Sequence, residues 1–373
     1  MDKLAYEYLV HLVACGLRGQ QPKEPPRELS FEKVLSFGKA HEVANIAYLA
    51  VQRLQRKPEP ELLAKWKAVH ALSLRRHANQ MAARDAISQG LSEAGVRHLE
   101  LQGTVMKTLY PQPYLRMMSD MDFIIDPENL HVAEGILRNL GYRIKPLPDI
   151  VEVNAYGSDG IAVEMHTDFF APGSLGYGVI TDPFSYAQPG DGYALKGSAT
   201  IFYLYNLLHT LKHYLNRGCG IRRIMDIYIL RTQVWEQTDQ SYVQKVLEEN
   251  GYTDAAQTLL ALADRWFGDG ETEADLSRAE ELVYLAGNHG SYQVSLVNEY
   301  KSAGQKRFYK LRKFRELLFP SKDYVYLGYP RCKELKLPLL FCWVYRWVYL
   351  LAHRKRRESG LSILSDVRKT KFK

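Results

Sequence analysis

Cysteine is scarce in this chain of 373 residues: Cys15, Cys219, Cys332 and Cys342 are scattered and form no CxxC pair. That excludes a zinc knuckle or a disulfide framework and leads us to expect free thiols in a reducing, cytoplasmic compartment. Long apolar runs are also missing. The opening stretch MDKLAYEYLVHLVACGLRG has apolar residues at helical spacing but lacks the uninterrupted run of a signal peptide. The most apolar segment, Leu337 to Ala352, is too short to cross a bilayer and holds Arg346 at its middle. A packed helix is expected there, without stable membrane insertion. An interfacial helix followed by the basic His353–Arg357 is the second reading. No internal repeat or low-complexity stretch is present.

Most of the chain also lacks excess charge. The net charge is +7, yet residues 353–373 hold eight Lys and Arg against Glu358 and Asp366, which places +6 in that segment. The other residues together carry +1, so the basic balance does not by itself argue for a nucleic-acid partner. Residues 353–373 are expected to be solvated, with an anionic surface as their alternative contact. With 46% hydrophobic and 24% charged residues, the composition is that of a soluble globular protein of two or three units.

The pattern along the chain is helical, then mixed, then helical. Leu4, Tyr8, Leu9 and Leu12 share one helical face. After Pro58-Glu-Pro60, residues Glu61 to Glu93 read as one long helix or two stacked ones. From Gly95 the period changes. Val96–Leu101, Met121–Ile125, Ile150–Tyr156 and Ile161–His166 read as strands, the last two joined by the turn Gly157-Ser-Asp-Gly160. Thr104–Tyr110 and Leu130–Leu140 read as helices between them. Ile201–Tyr214, Ile221–Val234, Tyr242–Glu249, Ala256–Trp266 and Ala279–Ala286 are helical again. The expected fold is α+β, a small mixed-sheet core flanked by helical regions. Its boundaries are 1–94 (helical), 95–190 (core), 191–330 (helical) and 331–373 (aromatic helix and basic segment).

The chemistry-bearing stretch is YPQPYLRMMSDMDFII, Tyr110 to Ile125. Asp120 and Asp122 are one residue apart on a strand, so period-two geometry puts both on one face, roughly 7 Å apart at their Cα atoms. Met121 and Phe123 point to the other face. Paired carboxylates suit a hard divalent cation, Mg²⁺ or Mn²⁺, which clamps the oxygens of a phosphoryl displacement. A third carboxylate is expected from a neighbouring strand. Glu164 fits, on one face with His166, and Glu152 competes with it. Upstream, a strand ends at Gly103, where backbone without a Cβ can approach a phosphate, and the helix that follows offers N–H groups.

Together these residues resemble the DNA polymerase β-type nucleotidyltransferase superfamily. LQG at 101–103, LYPQPYLRMMSDMDFII, GYR at 141–143, VEMH at 163–166, His213, IRRIMD at 221–226 and LFPS at 318–321 are similar to a bacterial family of uncharacterised nucleotidyltransferases. The resemblance covers roughly residues 40 to 330. It implies transfer of a nucleoside monophosphate from an NTP to an acceptor hydroxyl, with pyrophosphate released. Asp120, Asp122 and Glu164 would ligate the metals, and Glu164 would also serve as base. Gln102, Gly103, Thr104, Lys107, Arg116, Ser119, Lys212 and Arg222 would contact the nucleotide.

Two departures stand out. Gln102 occupies the place of the family's Lys, with Lys107 nearby as a substitute, and Thr104 replaces a Ser. Arg116 either binds phosphate or pairs with an Asp, and Asp226 is expected to orient Arg222 at i, i+4. His166 contacts nucleotide or metal, or is structural. The acceptor is left open among a protein side chain, an RNA end and a small molecule. Two other classes stay in view: a degenerate nucleotide sensor or scaffold, which Gln102 favours, and a DxD glycosyltransferase, which the helical sequence before the motif disfavours.

Overall fold

The computed structural model describes residues 2–373 apart from 146–151, 159, 271, 303–307, 354–356, 358–362, 369 and 371–373. Ile150 and Val151 of an expected strand, Asp159 of the expected turn, and several basic residues of 353–373 lie outside the described residues. The chain forms two compact units, one of residues 1–214 and 219–288, the other of residues 215–218 and 289–373.

The first unit opens with α1 (Lys3–Arg18), α2 (Phe31–Ala40) and α3 (Ala44–Val51). Asp2 caps α1 by accepting the Ala5 N–H, and Ser30 caps α2 by accepting the Lys33 N–H. A Cβ on Gly16 would lie 2.3 Å from the Ile46 carbonyl oxygen, so only glycine lets α1 and α3 approach this closely. The stretch expected as one or two helices is a single helix, α4 (Pro60–Glu93). Proline stands at its first position, where the missing N–H costs nothing.

A mixed seven-stranded sheet follows, built from β1 (His98–Glu100), β2 (Asp120–Ile125), β3 (Arg143–Lys145), β4 (Val153–Tyr156), β5 (Ala162–His166), β6 (Ala187–Pro189) and β7 (Ala194–Gly197). Their spatial order is β3-β4-β5-β2-β1-β7-β6. The β2–β5 and β1–β7 pairs are parallel and the others antiparallel. The fold is thus α+β, as expected. Strands β3, β6 and β7 were not expected. Each has three or four residues and little apolar content, because it lies at or near a sheet edge where pairing needs no buried side chains.

Two short helices are inserted in the sheet, α5 (Gln102–Thr108) after β1 and α6 (Leu130–Asn139) after β2. Alternation on β2 sends Met121, Phe123 and Ile125 to the back of the sheet. There they are buried with Val163 and Met165 of β5, Ile87 and Leu91 of α4, and Leu130, Ala133 and Leu137 of α6. Asp120 and Asp122 face the opposite way. That front side is covered by α7 (Ala199–Asn216), and α8 (Ile221–Gln233), α9 (Gln240–Glu249), α10 (Thr253–Phe267) and α11 (Ser277–Ala286) complete the unit.

The second unit contains α12 (Tyr292–Ser302), α13 (Tyr309–Leu318), α14 (Lys322–Gly328), α15 (Pro330–Glu334) and α16 (Leu339–Ala352). Its small core joins Val325, Tyr329, Cys332 and Cys342, with Trp343, Tyr345 and Tyr349 against it. The packed helix expected at 337–352 is therefore packed on one side only. Leu340, Phe341, Val344, Val348 and Leu351 are exposed, because the unit's core is too small to cover both faces of an almost wholly apolar helix. No helix among the described residues is long and apolar enough to cross a membrane.

Candidate active site

Strands β2 and β5 build the site. Their parallel register sets Asp122 beside Glu164 and Ile124 beside His166, so Asp122, Glu164 and His166 share the front face. One ligand-type atom from each lies within 4.8 Å of the others, which makes them the group of three that can hold a metal ion among the described residues. Asp120 occupies the same face of β2, and the Ser119 hydroxyl donates to its Oδ1 at 3.1 Å.

His166 is the hub of this cluster. Its Nε2 lies 3.7 Å from Asp122 Oδ1 and 3.4 Å from Glu164 Oε2, while its Nδ1 lies 3.3 Å from Glu152 Oε2. Burial alone lowers the imidazole pKa, but the surrounding carboxylates of Asp122, Glu152 and Glu164 override it and push it up to about 11. Glu152 is pulled down to about 2, mainly by the His166 hydrogen bond. Asp122 is raised, first by burial and then by the like charges of Asp120 and Glu164, against the pull of His166. Glu152 and Glu164 thus reach the cluster together, one on each side of the same ring.

The head of α5 sits at the end of β1. Gly103 packs against the β2 strand: a Cβ there would lie 2.9 Å from Met118 Sδ and 3.4 Å from the Asp120 carbonyl oxygen. Gln102, Thr104 and Lys107 are buried. The Thr104 hydroxyl donates to the Leu101 carbonyl at 3.2 Å. Lys107 is pushed down to about 7 by burial and by the neighbouring Arg116 and Arg222 charges. Its charged neighbours are therefore cations rather than the carboxylate cluster.

Arg116 is buried in a forked pair with Asp226 of α8: Nε donates to Oδ1 at 2.8 Å and Nη2 to Oδ2 at 2.9 Å. The Tyr110 hydroxyl donates to the same Oδ1 at 2.6 Å. The expected Arg222–Asp226 pairing is corrected here. Arg222 instead lies 3.0 Å from Glu42 Oε2 and donates to the Met117 carbonyl. The planar fork of Arg116 meets both carboxylate oxygens of Asp226 at once, an arrangement that outcompetes a side chain one turn away on the same helix.

From α7, Lys212 comes near the carboxylates. Burial lowers its pKa and Arg223 adds to that, while the charges of Asp122 and Glu164 oppose the change. Sequence reasoning missed Tyr205, Phe170 and His209 on this side. Tyr205 is buried beneath the carboxylates, with its ring tilted against those of Phe169 and Phe170. His209 Nε2 lies 2.9 Å from His213 Nε2, one ring donating and the other accepting. The i, i+4 spacing of His209 and His213 was the available signal. A cavity of about 990 Å³ adjoins α5 and α7, with Leu101, Thr104, Phe169 and Tyr205 in its wall.

A family profile described as an uncharacterised nucleotidyltransferase matches residues 27–268. The chain belongs to this nucleotidyltransferase family. The match contains the whole carboxylate cluster, the head of α5, Lys212 and the Arg116–Asp226 pair. No curated protein and no solved structure matches the chain.

Proposed function

We propose that this family member is a divalent-metal-dependent enzyme of the polymerase β type. It would transfer a nucleoside monophosphate from an NTP to an acceptor hydroxyl. The observation that carries this reading is the register of Asp122 beside Glu164, with His166 two residues on, which brings three ligand-type atoms within 4.8 Å.

The donor set fits Mg²⁺ or Mn²⁺. Asp120, Asp122 and Glu164 offer hard oxygen ligands, and the imidazole of His166 is better tolerated by Mn²⁺. The raised pKa of Asp122 marks a face that needs positive charge, and the neighbouring carboxylates push the His166 imidazole toward its charged form. When bound, a divalent ion there neutralises charge on the transferred phosphoryl group and on the leaving pyrophosphate.

The protein's own groups position and accept. Glu164 takes the proton of the acceptor hydroxyl. That oxygen then bonds to the α-phosphorus as the bridge to the β-phosphate breaks. Lys212 meets the triphosphate from α7, and the N–H groups of Gln102, Gly103 and Thr104 meet it from the head of α5. Ser119 steadies Asp120. Arg116, Arg222 and Lys107 act through packing: Arg222 donates to the Met117 carbonyl in the loop before Asp120, and Arg116 donates to the Gly103 carbonyl at 3.4 Å.

Two features favour a second reading, a nucleotide-binding sensor. Gln102 supplies no charge, and His166 itself bridges Asp122, Glu152 and Glu164. Metal-dependent turnover separates the two. Wild type and the Asp120→Ala/Asp122→Ala double variant are incubated with Mg²⁺ or Mn²⁺, each of the four NTPs and a bacterial lysate as acceptor source. Pyrophosphate release by wild type alone is the expected result. Binding of Mg·NTP without release by either protein replaces the enzyme with the sensor.

A further inference from the structure

We propose that α16 and its basic flanks dock the second unit on an anionic lipid surface, with the helix lying in the headgroup plane. The helix has two unlike sides. Cys342, Trp343, Tyr345 and Tyr349 pack toward α14 and α15. Phe341, Val344, Val348 and Leu351, spaced three, four and three residues apart, form one stripe and are 59%, 55%, 61% and 64% exposed. Leu340 extends this stripe at 63% exposure. At ~1.5 Å per residue, 14 residues reach only about 21 Å, short of the roughly 30 Å hydrocarbon core. The helix can therefore lie on a bilayer but not cross it.

Charge singles out the occupant. Residues 289–373 hold 20 Lys and Arg against six Asp and Glu, a net +14, whereas residues 1–288 carry −7. The chain's modest total hides this division. Exposed Arg331, Lys333 and Lys336 precede α16, and exposed Arg357 follows it. An apolar stripe between cationic flanks has the two attractions that surface binding to anionic lipid needs, acyl contact and headgroup charge. A second copy of the same unit would bring +14 against +14. Nucleic acid would meet the charge but little of the stripe: Phe341 alone can stack on a base, and the Leu and Val side chains neither stack nor donate hydrogen bonds.

The test sediments the full chain with phosphatidylcholine vesicles, alone or mixed with phosphatidylglycerol. Wild type should pellet with the mixed vesicles only, and rising salt should release it. Val344→Asp/Val348→Asp and Arg331→Glu/Lys333→Glu/Lys336→Glu should each weaken partitioning about tenfold or more, with unchanged far-ultraviolet circular dichroism. Should the aspartate variant misfold, the salt titration and the glutamate variant decide alone. A chain that stays in the supernatant with both vesicle types overturns the proposal. So does vesicle binding that ignores both variants, single-stranded RNA that displaces the vesicles, or a dimer that the aspartates dissolve.

Discussion

Arg116 and Asp226 are 110 residues apart in sequence and meet in a fully buried, two-pronged ion pair. The pair pins the loop before Asp120 to α8. Removing one member leaves the other charged and buried. Asp226→Ala should therefore cost about 3–5 kcal/mol of stability, read as a lower urea midpoint. Arg116→Met/Asp226→Leu should recover much of that loss, because no uncompensated charge stays behind. A double variant no more stable than Asp226→Ala would show that packing, not charge, is what the pair contributes.

The two glutamates around His166 should separate kinetically. Glu164→Gln is expected to lower the rate of pyrophosphate release about a hundredfold or more, as loss of a ligand and base. Glu152→Gln, which reaches the cluster through His166, should cost about tenfold. A larger loss at Glu152 than at Glu164 would exchange their roles.

Lys212 and Arg222 should part in the same way. Lys212→Ala is expected to raise KM for the NTP about tenfold, the equivalent of about 1.4 kcal/mol, with the melting temperature held. Arg222→Ala removes an ion pair with Glu42 and a hydrogen bond to the Met117 carbonyl, so it should lower the melting temperature first. Equal KM changes with equal loss of stability would make Lys212 a structural residue too.

Acid should unfold the first unit through its buried histidines. His41 is fully buried, accepts the Ile221 N–H at Nδ1, and is lowered to about 4 by burial. An unfolded histidine titrates near 6.5, so between these values the unfolded chain binds the proton and the folded chain does not. The stability contribution is complete above about pH 6.5 and is lost as pH falls through 4, on the order of 3 kcal/mol in all. Urea midpoints at pH 7 and pH 4.5 should diverge less in His41→Gln than in wild type. Equal divergence would assign the acid sensitivity to the other buried histidines, His213 at about 3 and His209 held well below the ordinary value by burial.

The front face of β2 was legible in the sequence because Asp120-Met-Asp-Phe alternates, and alternation on a strand is a statement about faces. Glu164 was legible for the same reason. Its partnership with Glu152 through His166 was not, since it depends on how β4, β5 and β2 pair, which a single strand's pattern does not encode. That Arg116 pairs with an Asp was one of its two expected roles, but which Asp was hidden by sequence distance, and Asp226 already had a nearer i, i+4 partner in Arg222. In α16 nearly every residue is apolar, so periodicity could not say which side was covered. The acidic character of residues 1–288 was equally veiled, because the basic excess that offsets it is spread over 289–373 and reaches well upstream of 353.

Helix α4 is anchored at both ends. Trp66 is buried near its start, one turn before His70, whose Nδ1 reaches the Asn45 carbonyl of α3, and Ile87 and Leu91 are buried near its end behind the sheet. Between them Gln80 donates to the Met118 carbonyl at 3.0 Å. Each residue of an α-helix turns the chain by about 100°. A single deletion between Trp66 and Ile87 would therefore swing one anchor a quarter-turn out of its socket, while exposed residues in the same stretch can be exchanged freely. The helix is a gauge of fixed length, and sequence variation in it should consist of substitutions but not of gaps.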